Sequence, residues 1–171
     1  EQEVLRRNIG LVMQDVFLFA GTIRSNITLG NTSYSDEEII TALEIANAYA
    51  FVQALPGGIN EEVREAGKTL SAGQRQLLSF ARAVLVDPKI LVLDEATSHI
   101  DPVTEGLIQD ALGKLLQART SLIIAHRFST IKKADRIIVL HRGMVHEQGT
   151  HDELMARDGL YRQLYRIQSI R

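Results

Sequence analysis

Two adjacent carboxylates, Asp94 and Glu95, follow the aliphatic run Ile90-Leu91-Val92-Leu93. Burying two acids at the end of an apolar strand is costly unless a cation or hydrogen bonds offset it. Mg²⁺, held through a carboxylate and water, is the natural partner. The second carboxylate is then free to act as general base toward an attacking water. Upstream, Leu70-Ser71-Ala72-Gly73-Gln74 reads as a small, polar turn opening a helix. Small residues let an anion approach the backbone, Ser71 can cap the helix, and the free N–H groups and dipole of that helix start attract anions. A lone Ser-Ala-Gly is most often an ordinary N-cap; its pairing with the carboxylate strand gives it weight. Together the two segments point to half of a nucleotide-hydrolysing site.

In open parallel sheets, ligands bind beyond the carboxyl ends of the strands. Gln14 and His126 each follow an apolar run in the same way as Asp94-Glu95. Taken singly, each reads as a polar residue starting a loop. Gly67-Lys68-Thr69 resembles the end of a phosphate-binding loop, G-x-x-x-x-G-K-[ST]. The first glycine of that pattern would fall at Glu62, and the preceding residues Asn60 to Glu65 are polar and charged apart from Val63. The loop reading is set aside, Lys68 is read as a solvated residue, and no other match occurs in the chain.

The elements that must position these residues are legible as patterns. Asn8 to Met13 reads as a strand ending at Gln14-Asp15, followed by the hydrophobic knot Phe17-Leu18-Phe19. Ser35 and Glu38 have the spacing of a capping box, and Ile39, Leu43, Ala46 and Ala50 recur at helical spacing up to Pro56-Gly57-Gly58. No strand character is evident between Phe17 and Val86, so residues 17–86 read as a mostly helical subdomain. The helix after Gly73 carries Leu77, Phe80, Ala81 and Val84 on one face and ends at Asp87-Pro88, since the residue before proline disfavours the α region. Strands and helices then alternate: a strand at Ile90–Leu93, a helix at Thr104–Leu116 and a strand at Ser121–Ala125. A short helix at Ile131–Ala134 leads into a hairpin of Arg136–Leu140 with Met144–Glu147 across Arg142-Gly143. Helices at Asp152–Arg157 and Leu160–Ile167 follow. Apolar strands alternating with helices predict an α/β fold, its parallel sheet covered on both faces, with no linker long enough to divide two independent domains.

Bulk properties narrow the function classes. A chain of 171 residues that is 45% hydrophobic can bury a sizeable core. The apolar runs are too short for a membrane span, and Glu1-Gln2-Glu3-Val4 has no basic segment of a secretory signal. The absence of cysteine excludes disulfides and thiolate metal sites. A net charge of -2 gives no electrostatic footprint for nucleic acid. The chain reads as soluble and cytoplasmic, with no nucleic-acid partner.

These residues carry a resemblance to a family. Gln14, Leu70 to Gln74, Ile90 to Glu95, Ser98 to Asp101 and His126 match, in order and character, the Q-loop, signature, Walker B, D-loop and switch histidine of ABC ATPases. Phe19 to Ile27 resembles the post-Q-loop segment of ABC exporters, and Gly149 to Leu154 their C-terminal segment. The resemblance implies a truncated P-loop NTPase: a RecA-like parallel sheet, formed by residues 1–16 and 87–171, with an inserted helical subdomain at 17–86. The opening part of such a domain, with Walker A, is not in this sequence.

By that resemblance the cofactors are ATP and Mg²⁺. Asp94 would hold the metal through water, Glu95 would polarise the attacking water, Gln14 would approach the metal and couple it to a membrane domain, and His126 would contact the γ-phosphate. Ser71, Ala72, Gly73 and Gln74 would face ATP held by a second subunit, with Asp101 reaching across the same interface. The implied partners are a second nucleotide-binding domain and a transmembrane domain, at the cytoplasmic face of the membrane. The chain departs from the family pattern at Ala72, where glycine is usual, at His99-Ile100 in place of Ala-Leu, and at Arg64 and Ala66. The leading expectation is the C-terminal part of an exporter's ATPase domain. Its rivals are a degenerate partner in a heterodimer and a soluble ABC ATPase of DNA repair or chromosome maintenance. The uninterrupted run from Gln14 to Leu70, without heptads or a basic stripe, argues against the soluble ATPase. Without a loop to cradle phosphates, the chain by itself is expected to bind ATP weakly, not to hydrolyse it, and to self-associate through exposed sheet edge or apolar face.

Overall fold

The computed structural model describes residues 2, 8–64, 67, 69–94, 100–117, 119–125 and 128–168. It divides into two compact units, Glu1–Ile124 and Ala125–Arg171. The first contains strands β1 (Ile9–Val12) and β2 (Gly21–Thr22), helices α1 (Ile23–Thr28), α2 (Asp36–Ile45) and α3 (Tyr49–Gln53), and strand β3 (Glu62–Val63). Helix α4 (Ala72–Val86), strand β4 (Ile90–Asp94), helix α5 (Pro102–Leu116) and strand β5 (Thr120–Ile124) complete it.

The α/β reading is met. β1, β4 and β5 form a parallel sheet in the order β1-β4-β5, with Val12 opposite Leu93 and Asp94 opposite Ile124. Side chains of a strand alternate between faces. One face, carrying Val12, Leu91 and Leu93, is buried in the core with Phe80 of α4 and Ile108 of α5. Each such fully buried side chain stabilises the fold by roughly 1.5–3 kcal/mol. The other face lies open: Leu11 is 60%, Leu122 58% and Ile124 53% exposed. Apolar strands on their own predicted cover on both faces; among the described residues, cover is found on one.

Several boundaries differ from the sequence reading, each for a local reason. Residues 17–86 are mostly helical, yet β2 and β3 form a two-residue antiparallel ladder, Gly21 with Val63 and Thr22 with Glu62, too short to show a period. The helical pattern from Ile39 to Ala50 is two helices, because Asn47 adopts a left-handed φ of 54° between α2 and α3, a conformation asparagine tolerates. The helix expected from Thr104 begins at Pro102, with Asp101 as its N-cap. Gly67 sits at φ 61° in a turn and α4 starts only after Ser71, so no helix follows Gly67-Lys68-Thr69 as a phosphate loop requires; Lys68 itself lies outside the described residues. α4 ends as expected, with Asp87 closing it at φ 46°.

The second unit holds α6 (Phe128–Ile131), β6 (Ile137–His141), β7 (Met144–Gly149), α7 (His151–Ala156) and α8 (Leu160–Gln168). The short helix expected at Ile131–Ala134 lies earlier, and Lys133 and Ala134 form the turn that closes it. The hairpin is as expected: Arg142 at φ 50° and Gly143 at φ 78° supply the two left-handed residues of a tight β-turn. Ile137, Val139, Leu154 and Tyr161 form its core. Burial raises the Tyr161 phenol above its ordinary pKa. Among the described residues no helix is long and apolar enough to cross a membrane.

Candidate functional site

Because β1, β4 and β5 run parallel, their carboxyl ends share one edge of the sheet. Gln14 lies two residues beyond the end of β1, and Asp94 is the last residue of β4. Gln14 is exposed, and Asp94 is half-buried. Glu95 and His126, the expected base and γ-phosphate contact, lie outside the described residues. The structure thus sets Gln14 and Asp94 on the edge where a ligand of an open parallel sheet binds.

The start of α4 is built by a reciprocal capping box. Gln74 donates its amide to Ser71 Oγ at 3.1 Å, and Ser71 donates its own amide to Gln74 Oε1 at 2.9 Å. The Ser71 hydroxyl and the Gln74 amide oxygen are therefore occupied locally. The amides of Ala72 and Gly73 belong to the first turn, whose N–H groups have no partner within a helix. Ala72 is exposed, whereas Gly73 is buried. A Cβ built on Gly73 would collide with the Thr104 γ-methyl and stand 3.4 Å from Ile100 Cγ2. Ile100, one of the departures from the family pattern, thus faces this chain's own α4.

Asp101 caps α5, accepting the Thr104 amide at 2.9 Å. That amide and the Thr104 hydroxyl hold its carboxyl below the usual carboxylate range. At least one of its oxygens is therefore engaged within its own helix start.

A cavity of about 190 Å³ joins two of the expected segments: Gln14, Asp15 and Val16 line it with Ala72, Arg75, Gln76 and Ile100. Asp94 is not among its lining residues. Arg75 and Thr104 were missed by sequence reasoning. Arg75 donates Nη1 to the Leu70 carbonyl at 2.7 Å and fixes the turn before α4. A cation in the first turn of a helix opposes the dipole, and that misfit was a readable signal. Thr104 carried none, because its contact with Gly73 depends on how α4 and α5 cross.

The donor set decides what metal suits the site. Among the described residues no three His, Cys, Asp or Glu side chains gather. Among the described residues, Asp94 supplies one carboxylate on this edge and Gln14 an amide, which together fall short of an all-protein cage. Mg²⁺ needs few protein donors of this kind, because it keeps several waters and takes ligands from substrate phosphates.

The family model described as ABC transporter matches residues 1–98. The chain is 52% identical over 167 residues to a probable multidrug resistance ABC transporter ATP-binding/permease protein, YheH, of Bacillus subtilis (strain 168), covering 98% of this chain and 25% of that protein. It is 51% identical over 166 residues to a putative multidrug export ATP-binding/permease protein of Staphylococcus aureus (strain NCTC 8325 / PS 47), covering 97% of this chain and 29% of that protein. Among solved structures, a bacterial Atm1-family ABC exporter with ATP bound superposes with a TM-score of 0.88 at 41% identity, over 98% of this chain and 29% of that one. The chain spans between a quarter and a third of the length of these relatives.

Proposed function

This chain belongs to the ABC transporter family, and from that premise we propose that it is the C-terminal part of an exporter's ATP-binding and ATP-hydrolysing domain. The observation that carries the reading is the start of α4: a capped helix whose first turn, exposed at Ser71 and Ala72, presents backbone amides to an anion. A helix start of this kind is an anion site through its free N–H groups and its dipole. In the proposed protein it faces the γ-phosphate of ATP held by a second nucleotide-binding domain, so each site is composite and one subunit is incomplete.

The remaining roles follow the chemistry of each residue. Asp94 and Gln14 would hold Mg²⁺, which when bound neutralises developing phosphate charge. Glu95 accepts the proton of the attacking water and His126 steadies the γ-phosphate. Gln14 also couples the site to a transmembrane domain, and it lines one cavity with Ala72 and Arg75. The work is then positioning and electrostatics, as in other phosphoryl transfers. The proposed location is the cytoplasmic face of a membrane.

The test is ATP turnover by the full-length protein and its Glu95→Gln variant. Wild type alone should hydrolyse ATP, while the variant binds it with turnover reduced by about a hundredfold or more, the loss usual for removing an essential base. Absence of turnover in the wild type, with activity appearing only when a different subunit is added, would instead identify a degenerate partner.

A further inference from the structure

Two neighbouring small residues at the start of α4 behave differently. Ala72 is exposed and accommodates a methyl group. Gly73 is buried, and any side chain there would run into Thr104 and crowd Ile100. Within one chain, packing already leaves no room for a Cβ at Gly73 unless Thr104 shifts, before any anion arrives. Thr104 meets this glycine with its γ-methyl while its amide donates to Asp101 Oδ1 at 2.9 Å. One residue therefore touches the start of α4 and closes the start of α5. Protein interiors are close-packed, so a contact this tight transmits displacement rather than absorbing it.

We propose that Thr104 is a positioning residue for the first turn of α4. Its γ-methyl, seated on the bare Cα of Gly73, holds the amides of Ala72 and Gly73 in register with the Asp101 cap, so the two helix starts move as one body. The consequence for turnover rests on the ATPase reading above; the contact itself does not.

The experiment is a mutant cycle in the full-length protein: Gly73→Ala, Thr104→Ala and the double variant, with Thr104→Val and Thr104→Ser to separate methyl from hydroxyl. Melting temperature is read beside kcat and KM for ATP. Gly73→Ala should lower both the melting temperature and kcat. Adding Thr104→Ala makes room for the new methyl, and should return about tenfold in kcat, the coupling usual between residues in contact. Thr104→Val keeps the methyl position but loses the hydroxyl bond to Asp101, and should still retain more turnover than Thr104→Ser, which keeps only the hydroxyl, with the difference in kcat rather than KM. Strictly additive effects would overturn the proposal, as would Thr104→Ser matching or exceeding Thr104→Val. If both Gly73 variants fail to fold, the order of Val and Ser decides. If wild type shows no turnover, the ATPase reading fails, and the melting temperatures still report the contact.

Discussion

Ser71 closes the start of α4 with one hydroxyl, accepting the Gln74 amide while Gln74 answers the Ser71 amide. Removing such a cap costs about 1 kcal/mol. Ser71→Ala should therefore shift the denaturant midpoint of the chain and, in the full-length protein, lower ATP turnover because the first turn frays. Asp101 makes a prediction in pH. Its folded pKa is depressed by the Thr104 amide and hydroxyl, so its contribution is complete above the ordinary aspartate range near pH 4 and is lost as pH falls through the lower folded value. Asp101→Asn keeps a capping side chain without the titration. Melting curves between about pH 2 and 5 should show a shallower acid limb for the variant, and an identical slope would rule the cap out as a contributor. At this scale the sequence was informative where chemistry is local. Ser71 and Gln74 announce a cap by spacing alone, and Gln14 and Asp94 announce a sheet edge by following apolar runs. The burial of Gly73 was illegible, because nothing in residues 70–74 records which helix will cross them.

Elements show the same division between local and distant causes. The starts of α1, α2, α4 and α7 are all reciprocal capping boxes, so the helix starts are written into short stretches of chain. The junction of α2 and α3 is different. Asn47 turns left-handed there and spends its side chain on α5: Nδ2 donates to the Leu107 carbonyl at 2.9 Å and to Asp110 Oδ2 at 2.8 Å, while Lys114 Nζ donates to Asn47 Oδ1 at 3.1 Å. In sequence Asn47 is one more polar residue within a helical period, so the helical region up to Pro56 showed no break there. Asn47→Ala combines a left-handed strain with the lost bonds and should destabilise by about 1–3 kcal/mol. Asn47→Gly, which accepts the backbone but also loses the bonds, should cost less. Chemical denaturation of the two variants checks the order. If Gly proves as costly as Ala, the hydrogen bonds rather than the backbone dominate the junction.

For the whole molecule, the open sheet face is the decisive feature. Leu11 on β1 and Leu122 and Ile124 on β5 stand exposed on one face, with half-buried Val92 of β4 between Leu11 and Leu122. Contiguous apolar surface of this kind drives association, so the chain on its own should sediment as oligomers at high concentration. Leu122→Lys should shift it toward monomer, and a wild type that stays strictly monomeric would count against the prediction. Calorimetry of the same chain with Mg-ATP should show no tight binding, since no phosphate loop is present in its sequence. The division at Ile124 and Ala125 was not legible from composition, because no proline- or glycine-rich linker marks it. The pairing of β1 with β4 has a consequence for biosynthesis. Among the described residues β1 pairs with β4 alone, and that partner, Ile90–Asp94, leaves the ribosome only after all of α1 to α4 has been made. At 5–20 residues per second, that is a wait of roughly 4–16 seconds. Throughout it, Ile9 to Met13 waits without β4 as an apolar stretch of nascent chain, within reach of a chaperone.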